Sequence, residues 1–261
     1  MNGLVMRFLG HSTVRLELAG RVVLTDPALT RSIGGLVRVA APLPRHTWQG
    51  VDLVLISHLH GDHLHLPSLR RLGPDVLIVV PRGAGEWLRR RGFSAVHEIG
   101  VGETVDESGL RITAVPAKHS GHRWGPRFTH GPQAPAIGYL IEAAGVRVYN
   151  SGDTDLFEEM AGFGPLDVAL LPVWGWGPNL GPGHLDPERA AEAVRLLRPR
   201  VTVPVHWGTL AVPGIARTGR MRRLLTEPPR RFATAAEGDT EVLVTEPGEQ
   251  VALRDNTEVG E

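Results

Sequence analysis

Seven consecutive residues, Ser57-His58-Leu59-His60-Gly61-Asp62-His63, carry three imidazoles and one carboxylate. They follow residues 51–56 directly, an apolar run of buried-strand length. A strand that runs out into a loop keeps alternating sides briefly, so His58 and His60 face one way. Gly61 then permits a sharp turn that returns Asp62 and His63 toward the same point. Nitrogen and oxygen donors at that density are enough to begin two adjacent metal sites. A polar surface loop that happens to be rich in histidine does not account for their position at the end of a buried strand.

Three further candidates, His119, Asp153 and His206, each sit just past a predicted strand. Singly, each has an ordinary explanation. His119 or His206 reads as a hydrogen-bonded histidine, and Asp153 as the cap of a following helix. His184 lies just before the best helix start in the chain, so its position alone does not separate function from local structure. His11 falls at a turn, where packing beneath a site explains it as well as chemistry does. Arg123 is a candidate for gripping a substrate phosphate, and a solvated surface position accounts for it too. Trp124, Trp174, Trp176 and Trp207 are candidates for the wall of an apolar pocket, or are simply core aromatics.

The elements that would position these residues begin as a strand meander over residues 4–9, 13–18 and 21–25, with Gly10 and Gly20 at the breaks. Buried strands follow at 51–56 and 76–80, and a helix at 85–91. Further strands are expected at 111–115, 136–141, 147–149, 168–171, 201–205 and 241–244. The strongest helix starts at Asp186, a capping residue, with Pro187 at the first helical position; Ala190, Val194 and Leu197 share a face until Pro199 stops it. A shorter helix is predicted over 155–161, with Leu156, Met160 and Phe163 inward. This order fits two sheets packed face to face with helices outside better than a doubly wound parallel sheet.

Composition narrows the chemistry. The 261 residues hold no cysteine, which excludes thiolate nucleophiles, disulfides and cysteine-held zinc. Lys plus Arg and Asp plus Glu number 28 each, so no global field gathers nucleic acid, and a small-molecule substrate is the expected partner. The first ten residues lack the pattern of a secretory leader, and no stretch approaches eighteen uninterrupted apolar residues; a cytoplasmic protein is expected. One domain over 1–261 is expected, with a frayed polar tail after Asp255. Rival machinery is missing: there is no G-x-S-x-G elbow, no P-loop and no clean G-x-G-x-x-G. Residues 175–181 read as a Gly/Pro loop shaping a pocket entrance.

Residues 58–63 resemble the HxHxDH motif of the metallo-β-lactamase superfamily, and later motifs match in order. His119 in Pro-Ala-Lys-His-Ser resembles the third-motif histidine, Asp153 in Ser-Gly-Asp-Thr the metal-bridging aspartate, and His206 in Val-His-Trp-Gly-Thr the last metal histidine. The start Phe-Leu-Gly-His-Ser-Thr and the stretch His-Leu-Asp-Pro-Glu at 184–188 resemble a branch that includes N-acyl-phosphatidylethanolamine phospholipase D enzymes and ascorbate-6-phosphate lactonases. The resemblance implies a four-layer αββα sandwich in the mixed α and β class. It also implies one metal on His58, His60 and His119, a second on Asp62, His63 and His206, and Asp153 between them. A hydroxide held between the ions would attack a phosphodiester, lactone or related ester or amide. Asp62 or His184 would deliver the leaving-group proton. The ligands favour zinc, with manganese or iron also suited. Two alternatives remain: an iron-dependent oxidoreductase on the same fold, and a non-catalytic metal-binding module.

Overall fold

The computed structural model describes residues 3–107, 109–123 and 131–253. Trp124, His130 and the expected frayed tail lie outside them. The chain opens with β1 (Leu4–Gly10), β2 (Thr13–Leu18) and β3 (Arg21–Thr25), an antiparallel meander broken where the glycines predict. A small hairpin follows, β4 (Ser32–Ile33) and β5 (Leu36–Arg38). Then β6 (Leu53–Leu55), α1 (Leu66–Leu72), β7 (Leu77–Pro81), α2 (Gly85–Arg89) and β8 (Val96–Ile99) extend the first sheet with parallel strands.

The second half repeats this plan. β9 (Thr104–Glu107), β10 (Leu110–Pro116), β11 (Ile137–Ala143) and β12 (Val146–Asn150) pair antiparallel. β13 (Leu166–Pro172), α3 (Pro187–Leu197) and β14 (Pro199–Val205) add parallel strands. β15 (Leu210–Ala211) joins the β4–β5 hairpin, followed by α4 (Gly219–Thr226), α5 (Pro228–Ala235), β16 (Glu241–Val242) and β17 (Gln250–Leu253). The two main sheets run β17-β1-β2-β3-β6-β7-β8 and β16-β14-β13-β12-β11-β10-β9.

Burial on both faces of the parallel strands makes the layers. Leu53, Leu55 and Val79 join the main core with the second sheet, while Val54, Ile78 and Val80 face the other way, against Leu69 of α1 and Leu88 of α2. On the far side, α3 buries Ala190, Val194 and Leu197 against the second sheet and α5. The result is the expected αββα sandwich. The start of α3 is as read: the Asp186 side chain accepts from the Arg189 N–H, a cap worth about 1 kcal/mol.

The helix predicted over 155–161 is not one. Only a 3-10 turn forms, at Glu158–Gly162, because the Asp155 carboxylate takes the Leu156 N–H and the Arg189 guanidinium instead of starting a helix. The predicted helix at 85–91 is shorter, ending at Arg89.

Strand direction decides where chemistry can gather. β1, β3 and β6 of one sheet, and β10, β12, β13 and β14 of the other, all end at the same edge of the sandwich. Loops leaving strand carboxyl ends are the usual home of ligand sites in such sheets. The sheets are tied there, since the Tyr139 hydroxyl on β11 donates to the Ile56 carbonyl at 2.7 Å and the Ile137 N–H donates to the Ser57 carbonyl at 3.0 Å.

Candidate metal centre

All seven residues proposed as ligands converge at this edge. His58, His60, Asp62 and His63 leave β6; His119 follows β10, Asp153 follows β12 and His206 follows β14. Their donor atoms form overlapping groups, each with its atoms within 4.8 Å of one another. Close approach between two of the loops requires a glycine. At Gly152 (φ 58°) a Cβ would lie 2.4 Å from that of Ser57. Gly61 is different: it keeps a negative φ with open space where a Cβ would sit, so the turn does not need its freedom.

The hydrogen bonds around the rings fix which nitrogens point inward. His119 Nδ1–H donates to the Gly183 carbonyl and His206 Nδ1–H to the Trp174 carbonyl, both at 2.7 Å. His63 Nδ1–H donates to Asp26 Oδ2 at 2.9 Å. Ser57 Oγ must donate to that carboxylate (2.6 Å), which leaves it an acceptor for His58 Nδ1–H at 3.0 Å. Each of these four rings therefore points Nε2 inward, the nitrogen left to serve as a metal ligand. His58 Nε2 and His119 Nε2 lie 3.0 and 3.1 Å from His60 Nδ1. On the other side His63 Nε2 and His206 Nε2 are 3.3 Å apart, and each is 3.3 Å from Asp153 Oδ2. Asp153 Oδ1 is buried with no hydrogen-bond partner among the described residues. Converging lone pairs around an unpartnered buried carboxylate oxygen repel one another unless a cation lies among them, so the residues fit a divalent metal.

Electrostatics agrees. Burial, then repulsion from its imidazole neighbours, pushes His60 down to about 4 and His58 well below the usual value. Burial lowers His119 too, and lowers His206 to about 3 against the pull of Asp153. Burial opposes ionisation of Asp62 and Asp153, yet the imidazoles around them hold both carboxyls well below the ordinary range. His63 alone goes up. Burial disfavours its charge, but Asp153 on one side and Asp26 on the other outweigh it.

Two of the supporting residues escape the sequence. Asp26 follows β3 with φ 35° and is fully buried; in the sequence, Leu-Thr-Asp-Pro at a strand end looks like any turn. Ser57 gives no chemical signal beyond its place beside His58. His11, left open between packing and function, is buried against the centre: its Nε2 is 2.9 Å from Asp62 Oδ2 and its ring centre 3.9 Å from that of His206. His184 lines the cavity with Nε2 3.7 Å from Asp153 Oδ2. Arg123 is partly buried and not a freely solvated side chain. It donates to the Leu59 and Leu64 carbonyls and lies over Trp87, bracing the loop that carries His60 and Asp62.

Of the described tryptophans only Trp176 lines the cavity; Trp174 orients His206 through its carbonyl, and Trp207 is buried beside Phe8. The Gly/Pro loop does line the entrance, through Gly175, Gly177 and Leu180 among others.

Comparison with known proteins adds to this geometry. A model of the β-lactamase superfamily domain matches residues 21–207. A UPF0173 metal-dependent hydrolase of Thermococcus kodakarensis is 33% identical over 257 residues, covering 95% of this chain and 99% of that one. An N-acyl-phosphatidylethanolamine-hydrolyzing phospholipase D of Caenorhabditis elegans is 30% identical over 233 residues, covering 80% of this chain and 65% of that one. Among solved structures, the metallo hydrolase Igni18 of Ignicoccus hospitalis superposes with a TM-score of 0.73 at 27% identity, covering 97% of this chain and 99% of that one. No helix of the described residues is long and apolar enough to cross a membrane.

Proposed function

The chain belongs to the β-lactamase superfamily as a metal-dependent hydrolase, and from that premise we propose that it works with two divalent ions. His58, His60 and His119 would hold one and Asp62, His63 and His206 the other, with Asp153 between them. The observation that carries this reading is the set of four locked rings, each with Nδ1–H spent on a protein acceptor and Nε2 aimed at its neighbours. The all-nitrogen-and-oxygen set favours zinc and also suits manganese or iron. Bound there, such ions supply an acidified water and a polarised scissile group.

The chain's own residues do the rest. Asp26 keeps the His63 ring in place, and His11 holds one oxygen of Asp62, which lines the cavity. His184, partly open to the cavity beside Asp153, and Asp62 are the groups placed to pass a proton to the leaving atom of a phosphodiester, lactone or related ester or amide.

Elemental analysis of the purified chain, run beside His119→Ala and His206→Ala, tests the reading. About two ions per chain are expected in the wild type and about one in each variant, with hydrolysis of chromogenic esters or diesters reduced in both. A chain that takes up no metal after refolding with zinc or manganese sinks it.

A further inference from the structure

The cavity above the candidate ligands has a volume of about 660 Å³, within the roughly 300–1,000 Å³ range of pockets that hold small organic molecules. Its apolar lining includes Ile33 and Leu36, which flank the Gly34-Gly35 turn of the β4–β5 hairpin, and Trp176, Leu180 and Val212; Leu36 and Trp176 pack against the same small apolar cluster. Among the described residues no lysine or arginine lines it.

Nearby cations are committed elsewhere. The Arg38 guanidinium donates to the Leu9 and Ala41 carbonyls, and burial lowers it to about 10. Arg123 is spent on the Leu59 and Leu64 carbonyls, and the Lys118 ammonium lies 6.0 Å over the Phe157 ring. Proteins that select phosphate or carboxylate groups usually present a guanidinium or ammonium to them, and among the described residues none is presented.

Both lining segments are bonded to the one that carries His206. β5 pairs with β15, which starts four residues after it, and the Val39 N–H donates to the Thr209 carbonyl at 2.8 Å. The segment that carries Trp176 and Leu180 follows Trp174, whose carbonyl holds His206 Nδ1–H. The apolar lining and the ligand floor therefore form one assembly, and a molecule touching both is held in a fixed register.

We propose that this cavity takes an uncharged acyl compound, an ester, lactone or amide, whose apolar arm lies against Ile33, Leu36, Trp176 and Leu180. This rests on the two-ion reading and narrows it away from phosphodiesters. In the reaction, the oxygen of water adds to the acyl carbon and the bond from that carbon to oxygen or nitrogen breaks. The leaving atom takes up a proton, and the acid product ionises.

The test is calorimetric titration of the zinc-loaded full chain with straight-chain hydroxamates from acetohydroxamate to octanohydroxamate, whose common head chelates the metal while the arm lengthens. Affinity is expected to rise about two- to fourfold per added methylene, the increment for partial to full burial of that group. Trp176→Ala and Leu36→Ser are each expected to flatten the rise. Turnover of p-nitrophenyl butyrate and octanoate is expected to exceed that of bis(p-nitrophenyl) phosphate. Acetohydroxamate binding with no dependence on arm length, or a faster diester reaction, overturns the acyl proposal and leaves the metal reading standing. Failure of the chain to take up zinc overturns the metal reading itself, and the proposal with it.

Discussion

The two corners of the candidate centre lie side by side and are charged differently. His58, His60 and His119 make one corner entirely of imidazole, backed by the neutral Ser57 hydroxyl and Gly183 carbonyl, and two of its three residues are only partly buried. The other corner has Asp62 as well as His63 and His206, and behind it stand the Asp26 carboxylate and the His11 ring. Each imidazole in the first corner is pushed toward its neutral form, whereas His63 in the second is held protonated by carboxylates on both sides. A cation in the carboxylate corner meets opposite charge in a buried setting, where it is worth most. The imidazole corner should therefore be the one that exchanges its ion first.

Asp153 is the residue whose loss would touch both corners, since its carboxylate reaches the His63–His206 pair and groups with His58 and with His119. Asp153→Asn keeps the shape and removes the charge. It is expected to weaken both ions and to lower kcat/KM about a thousandfold, corresponding to roughly 4 kcal/mol of lost stabilisation. Retention of two ions with activity within tenfold of wild type would show that each corner stands alone.

Next in size is Asp26→Asn, which touches only the carboxylate corner. Removing a carboxylate behind a ligating histidine weakens metal affinity by about 10–100-fold. Stepwise zinc titration against a competing chelator should show that loss in one step and leave the other unchanged. An equal loss in both steps would mean that the corners are coupled too tightly to be compared.

That Asp26 has to be found in the structure shows how the sequence divides the site. The loop after β6 is legible because four donors crowd into six residues at the end of an apolar strand. The second half of the chain follows the same plan, with an antiparallel meander feeding parallel strands, but spreads its ligands singly over the ends of β10, β12 and β14. His119, Asp153 and His206 become readable only as an ordered set. Asp26, Ser57 and the Trp174 and Gly183 carbonyls act through pairings between distant segments, which no local pattern encodes. The same limit explains the false helix at 155–161, where apolar spacing is right but Arg189, more than thirty positions on, claims the Asp155 carboxylate. Helix α1 is hidden for the converse reason. Its start at Leu66 adjoins the histidine cluster, and His65 at its N-terminal boundary bonds Ser68 Oγ with no side-chain cap.

The protonation difference gives a pH test. At neutral pH, His60 and His206, with values near 4 and 3, are already neutral, and Asp62 and Asp153 are already ionised. His63 is raised, so filling the carboxylate corner must displace its proton. Calorimetry in buffers of different ionisation heat should show one proton released by His63 beside that of the acidified water, with affinity rising with pH below the His63 value. Release of more protons than these two would contradict the neutral state of the imidazole corner. In the metal-free chain the signs oppose. The depressed values of His60 and His206 give stability that is present above about pH 6.5 and lost as pH falls toward 4 and 3, while the raised His63 gives stability lost as pH rises through its own value.

The smallest expected effect separates backing by charge from backing by geometry. His11 sits at φ 56°, a conformation that costs a non-glycine residue about 1–3 kcal/mol and persists only when its surroundings impose it. Its N–H donates to Thr209 Oγ1, its carbonyl accepts from the His206 N–H, and its Nε2 lies on Asp62. The backbone contacts survive any substitution, so a side-chain variant isolates the contact with Asp62. His11→Ala is expected to weaken the carboxylate corner about tenfold, the low end for loss of a residue behind a ligand. His11→Gln can still offer an N–H at the reach of Nε2 and should stay within about threefold of wild type. The two variants differ only if a donated hydrogen bond orients Asp62. If Gln falls as far as Ala, with the absorption of the cobalt-loaded imidazole corner unchanged in both, then ring contact with His206 is what His11 contributes. The carboxylate corner would then owe its charged backing to Asp26.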